Sequence, residues 1–280
     1  MATSAQAESS WRTTASGIMG STSLACWIVL LMPQLIEQWR MKSAEGIAIG
    51  FISIWFVGDL FNLIGALWAG LLSEVIFLAA WFCIADFLMI ASFFYYSYVY
   101  PKHHNKKHHA SQGSSETEPL VRRRRSSALT DIAVEPQYHS IWSKFVLPIV
   151  FVIGAGCLGF VFSNPASGDQ GDDAPPSDIA LGPQIVGYLS ALLYLGARIP
   201  QIIQNHRRRS VDGLSLLFFM FSTLGNVTYA GQILLYKSDP HYILLNLSWL
   251  LGSLGTIFED CIIFIQFYIY KDSHAAVHDS

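Results

Sequence analysis

Of the 280 residues, 52% are hydrophobic and only 13% charged, where an average soluble domain is about 25% charged. The charges are segregated as well, leaving apolar runs as long as the roughly 20 residues that cross a bilayer. Most of these runs lack the polar face that a large soluble α-protein would need on its helices, and no nucleic-acid partner is expected.

Residues 1–16 are polar, rich in Ser and Thr, and lack the basic start of a signal peptide. They are read as a lumenal tail. The first span, 17–36, ends in Pro33-Gln34 with no small-residue cleavage site after it, so it is read as a retained helix. Spans at 47–69 and 75–98 complete a first three-helix unit, 17–100. The loop 101–141 is polar and expected to be disordered. Its histidines, His103, His104, His108 and His109, read as part of a solvated linker rather than a metal site, because no carboxylate or cysteine lies beside them. Arg122 to Arg125 are candidate contacts for anionic membrane lipids, and Ser126 and Ser127 are candidate phosphorylation sites. Glu116 to Val121 loosely resembles an acidic dileucine sorting signal, which makes the loop a candidate binding segment for cytosolic sorting or signalling partners. A linker helix at 142–163, with its span at 142–162, leads to an acidic lumenal loop at 164–180. Spans at 181–203, 214–236 and 243–270 form a second three-helix unit, 181–270. The last is long enough to tilt. A cytosolic tail, 271–280, ends the chain. The expected fold is an all-α integral membrane protein with seven transmembrane helices in a 3+1+3 plan. Cys26, Cys83, Cys157 and Cys261 all fall within spans, so buried thiols are expected rather than disulfides.

Basic residues mark the cytosolic flanks of spans. Fourteen of the 17 Lys and Arg residues lie in alternate loops, at the start of the linker helix or after the last span: Arg40, Lys42, Lys102, Lys106, Lys107, Arg122 to Arg125, Lys144, Arg207 to Arg209 and Lys271. The opposite side holds Arg12 and Lys237 among Glu74, Asp169, Asp172, Asp173, Asp178 and Asp239. The N-terminus is therefore expected in a lumen and the C-terminus in the cytosol.

The chain also repeats itself. Slid along itself until Met32 meets Ile199, the stretch 32–59 aligns without gaps to 199–226, with eight identities. These include Pro33 with Pro200, Gln34 with Gln201, Ser43 with Ser210, Gly46 with Gly213, Phe51 with Phe218 and Gly58 with Gly225. Two three-span units keep one orientation only if an extra helix joins them, and 142–162 serves that purpose. Parallel repeats of this kind occur in transporters that bind substrate near the midplane, between repeats. Pro33 and Pro200 each remove a backbone donor, kinking the helix and freeing a carbonyl near Val29 and Gly196. The adjacent Gln34 and Gln201 amides are expected to serve those carbonyls, and the four residues form a candidate gating hinge.

The duplicated Pro-Gln turn followed by Ser-x-[Glu/Asp]-Gly resembles the PQ-loop repeat family. CWIVLLMPQ, GDLFNLIGALW, RIPQIIQN, SVDGLS, GNVTYAGQILL and WLLGSLGTIFEDCIIFIQF place the resemblance with the lysosomal and vacuolar basic amino-acid transporters. The resemblance implies substrates such as lysine, arginine or histidine, moved from an acidic lumen to the cytosol. A cystine or sugar transporter of the same fold, or a seven-helix receptor or nutrient sensor without net transport, stands as the alternative.

An ionisable side chain at bilayer depth costs at least about 2.5–3.5 kcal/mol, so each marks a candidate site. Asp59 lies midway along its span, and its repeat counterpart is Asn226; one turn on, Asn62 corresponds to Tyr229. Asp86, Glu259 and Asp260 add three carboxyl groups. Carboxylates would pair with the substrate's ammonium groups, while an amide or tyrosine hydroxyl receives its carboxylate. Asp59 is the candidate proton carrier, Asp260 the next. Arg198 is expected to snorkel or to pair with a carboxylate. Trp55, Trp68, Trp81 and Trp249 are read as cavity, packing or lipid-facing residues. With no nucleophile–base pair, metal-ligand spacing or Gly-rich phosphate loop, neither an enzyme nor a cofactor is expected.

Overall fold

The computed structural model of the protein describes residues 2–41, 49–100, 142, 146–162, 180–211 and 214–270. Among these, the chain folds into helices α1 (Ala2–Met41), α2 (Ile49–Ala69), α3 (Ser73–Phe94), α4 (Leu147–Phe162), α5 (Leu181–Arg208), α6 (Leu216–Tyr236), α7 (Pro240–Leu245) and α8 (Leu247–Tyr270). A π-helical turn, Tyr95–Val99, extends α3. The loop 101–141, with its histidines, arginines and serines, lies outside the described residues. So do the acidic stretch 163–179 and the tail 271–280.

Five of these helices are long and apolar enough to cross a membrane: Trp11–Pro33 within α1, α2, Ser73–Val99, α5 and α8. The expected count of seven differs at α4 and α6. Helix α4 has 16 described residues. Helix α6 has 21 residues, but Ser222, Asn226, Thr228 and Gln232 lower its apolarity, and all four are buried against neighbouring helices. It is polar because it faces protein. The outward faces are the reverse of a soluble protein's: Phe77, Phe87, Leu192, Phe258 and Tyr268 are each more than half exposed, as suits side chains whose solvent is lipid.

Helix boundaries also depart from expectation. Residues 2–16 continue α1 instead of forming a separate tail, and this extension is tied down. Arg12 donates to the carbonyls of Leu234 and Leu235 and to Ser238, satisfying acceptors left open at the end of α6. Ser16 donates to the Gln232 carbonyl at 2.8 Å. Helix α5 runs past residue 203 to Arg208 and ends at Arg209, whose φ of 52° is left-handed. The single last span expected over 243–270 is broken. Asp239 caps α7 by accepting from the backbone N–H groups of His241 and Tyr242, and α7 ends at Asn246, whose amide donates to the Tyr242 carbonyl at 2.9 Å. Helix α8 then starts afresh. All four cysteines are free, yet only Cys26 is buried; Cys157 and Cys261 are exposed on outward faces.

The two units interlock. Helix α1 packs on α6, and α5 on α2; α3 touches both α1 and α2, as α8 touches both α5 and α6. The third helix of each unit thus packs on the first two helices of its own unit, while the first and second helices make the contacts between units, and α4 packs on α1. Individual hydrogen bonds repeat the pattern. Ser23 donates to the Gly225 carbonyl at 2.9 Å, and Ser190, its counterpart in the second repeat, donates to the Gly58 carbonyl at 2.8 Å. Each first helix therefore clasps the second helix of the other unit about a pseudo-twofold axis.

Candidate functional site

On that axis lies a cavity of about 90 Å³, several times the roughly 10–15 Å³ that one ordered water needs. All six long helices of the two units line it, and α4 contributes nothing. Its wall is assembled from equivalent positions of the repeat. Trp27 and Tyr194, Leu31 and Arg198, Asp59 and Asn226, and Asn62 and Tyr229 all line it, each pair in the register that matches Pro33 with Pro200.

The wall is chemically lopsided even so. The first unit supplies two acids. Asp59 on α2 accepts a 2.5 Å hydrogen bond from the Tyr194 hydroxyl on α5. Asp86 on α3 lies within hydrogen-bonding range of Asp59, and its Oδ2 is buried without a partner. One turn after Tyr194, the second unit supplies a guanidinium: Arg198, which is 4% exposed. Asp260 on α8 accepts from Arg198 Nη1. Ser222 on α6 accepts from Nη2 at 2.9 Å and donates to Asp260 Oδ2 at 3.0 Å, and Thr223 donates to the same oxygen at 3.3 Å. The guanidinium also lies 5.9 Å from the Trp55 ring centre and 5.8 Å from that of Phe219, within reach of cation–π attraction.

The site residues expected from sequence divide accordingly. Asp59, Asn62, Asp86, Asn226 and Tyr229 meet at the cavity. Asn62 accepts from Trp249 Nε1 at 2.9 Å, and Asn226 donates to the Ser222 carbonyl at 3.0 Å. Asp260 stands behind Arg198 instead of on the wall. Glu259 is buried, with Oε2 unpartnered, but does not line the cavity. Trp55 and Trp249 line it, Trp68 is exposed, and Trp81 packs against the core. Among the described residues no group of three or more His, Cys, Asp and Glu could hold a metal.

Pro33 and Pro200 lie within continuous helices. The Gln34 side chain lies outside those described. Gln201 is buried with its amide nitrogen unpartnered, so it does not serve the carbonyl freed at Gly196. The reason is directional: a helical side chain leans over the residues three and four before it, which for Gln201 are Arg198 and Ala197. Beyond Pro200, the end of α5 is fastened to α8 in another way. Asn205 donates to Gln266, Gln266 donates to the Ile202 carbonyl, and His206 meets the Tyr270 hydroxyl, each at 2.9 Å.

Tyr194 and Trp27 were not singled out from the sequence as wall residues. Extending the repeat register towards the N-terminus would have paired them, one turn before Arg198 and Leu31.

Comparison with known proteins bears on both repeat and cavity. The PQ loop repeat matches residues 15–75 and 183–242, which together supply all the cavity positions on α1, α2, α5 and α6. The chain is 35% identical to the vacuolar lysine transporter YPQ1 of Saccharomyces cerevisiae, covering 93% of this chain and 94% of that one. It is 34% identical to the vacuolar histidine transporter YPQ3 of the same yeast, over 91% and 92% of the two chains. It is 27% identical to the lysosomal amino acid transporter 1 homolog of Homo sapiens, over 96% and 87%. Duplicated motif, pseudo-symmetric cavity and near full-length likeness agree: this chain belongs to the PQ loop repeat family.

Proposed function

We propose that this protein is a secondary transporter of basic amino acids, carrying lysine, arginine or histidine from a vacuolar or lysosomal lumen to the cytosol. The observation that carries the reading is the acidic pair Asp59–Asp86 on the wall of a cavity at the junction of two duplicated units. A buried carboxylate is costly to keep unpaired, and a cationic substrate supplies the missing partner. A neutral sugar would have no use for such a pair. The relatives named above point to the same substrate class.

In this reading the chain crosses the membrane seven times in the 3+1+3 plan, with α4 as linker. The N-terminus is lumenal and the C-terminus cytosolic, as the distribution of basic residues favours. The units 17–100 and 181–270 rock about the shared cavity, exposing it to each side in turn. Pro33 and Pro200 are the flexing points, with Gln34 and Gln201 beside them. Asp59 and Asp86, in contact with each other, hold a proton between them that the lumen supplies and the cytosol removes, coupling the proton gradient to substrate movement.

The test is uptake of labelled lysine and arginine into proteoliposomes holding the purified protein, with and without an acidic lumen-equivalent side. Saturable uptake of these two, stimulated by the gradient and not competed by cystine or glucose, is the expected result. Binding without flux would instead make the protein a receptor or nutrient sensor.

A further inference from the structure

The Asp59–Asp86 pair answers only the cationic part of an amino acid. A basic amino acid also carries a carboxylate, and burying that group in a cavity requires donors. The second unit places a guanidinium on the wall one helical turn from Tyr194, which itself holds Asp59. A guanidinium has five N–H donors in a planar fork. Asp260 and Ser222 take one each. Asp260 in turn has both oxygens engaged, Oδ1 by Arg198 and Oδ2 by Ser222 and Thr223. This arrangement keeps a buried cation in place from behind while other N–H groups stay available to the cavity. At the equivalent wall position of the first repeat stands Leu31, which cannot serve an anion. The cavity therefore has one anion-receiving end, and it lies on one side of the pseudo-twofold axis.

Resting on the functional reading above, we infer that Arg198 is the residue that selects for the α-carboxylate of the substrate, with Asp260, Ser222 and Thr223 fixing the angle of its fork. The substrate is thereby oriented, carboxylate towards Arg198 and a cationic group towards Asp59–Asp86. Diamines of the same length, which satisfy the acidic end alone, are discriminated against. This assigns the carboxylate to a guanidinium and not to the amide or tyrosine hydroxyl expected from sequence. A site built around hydrogen bonds to one group rejects analogues that lack it, because its donors are left unpaired.

The experiment is equilibrium binding to purified full-length protein of lysine, lysine methyl ester and cadaverine, which is lysine without its carboxylate. The wild type is expected to bind lysine at least about tenfold more tightly than either analogue, a modest demand for a charge-assisted pair. In Arg198→Gln/Asp260→Asn, which removes both charges and so leaves neither buried alone, lysine affinity should fall to the level of cadaverine while cadaverine binding stays the same. Arg198→Lys, which keeps a positive partner for Asp260, should retain part of the preference. Equal wild-type affinity for lysine and cadaverine overturns the inference. So does a double variant that keeps the preference, or one that weakens both ligands in proportion, as a purely structural role would. A wild-type protein that binds neither lysine nor arginine fails at the earlier step and overturns the transport reading itself.

Discussion

Tyr194 on α5 donates a 2.5 Å hydrogen bond to Asp59 on α2, joining the two units through the wall of the central cavity. The equivalent positions on the other side of the pseudo-twofold axis hold Trp27 and Asn226, which carry neither a hydroxyl nor a carboxyl group. The duplication thus built a symmetric frame, and a few substitutions on it made a polar site.

The Tyr194–Asp59 bond is open to direct test. Asp59→Asn should abolish lysine uptake while leaving the purified protein folded, since the amide keeps the shape and can still accept from Tyr194. Tyr194→Phe should be milder. A hydrogen bond to a charged group contributes about 1.5–3 kcal/mol, so KM should rise at least about tenfold. Proteoliposome uptake, with folding checked by size-exclusion chromatography, measures both.

The buried pair Arg198–Asp260 should show strong coupling. Removing one partner strands a charge, at a cost of about 3–5 kcal/mol. Arg198→Gln and Asp260→Asn should therefore each lower thermal stability in detergent, and the double variant should be more stable than the sum of the two losses predicts. Melting curves for the four proteins of the cycle give the interaction energy. Additive losses would mean that Ser222 and Thr223, not Arg198, keep Asp260 in place.

Two equivalent glycines should respond unequally to alanine. A Cβ on Gly225 would meet Trp27 Nε1 at 2.9 Å, whereas one on Gly58 would meet the Tyr194 ring at 3.1 Å. Overpacking costs about 1–3 kcal/mol, against a helix-propensity gain of up to about 1 kcal/mol for Gly→Ala. Gly225→Ala should thus lower the melting temperature clearly, while Gly58→Ala, with its longer contact, should lie closer to wild type. Differential scanning fluorimetry distinguishes the two.

The prolines should matter for turnover more than for affinity. Pro33→Ala or Pro200→Ala restores the missing backbone donor and so stiffens a helix near one end of the cavity without touching its wall. Lysine affinity should stay within about twofold of wild type, while the uptake rate falls roughly tenfold. Parallel binding and flux measurements would show the split. Equal loss of both would assign these prolines to the static architecture.

The membrane class, the repeat and the PQ-loop resemblance were legible in the residues because they depend on local properties. Apolar runs betray spans, and two copies of Pro-Gln with Ser-x-[Glu/Asp]-Gly betray a duplication. Asp59, Asn62, Asp86, Asn226 and Tyr229 were legible for the same reason: polar groups within apolar runs need a partner, wherever the chain finds one. Less visible was α6, whose polar side chains shorten the apolar signal because they face other helices. The break at Asn246 was hidden too, since a turn stabilised by Asp239 and Asn246 has no signature in hydropathy.

Residue pattern alone settles that the chain is built of apolar helices and that it carries a duplicated unit. Which carboxyl groups meet was decided only by the tertiary structure, because a helix face carries no record of its neighbour. Asp86 faces Asp59 because α3 lies beside α2. Asp260 supports Arg198 because α8 packs on α5, and Glu259, one residue away, is turned about 100° around the helix and stays off the cavity wall.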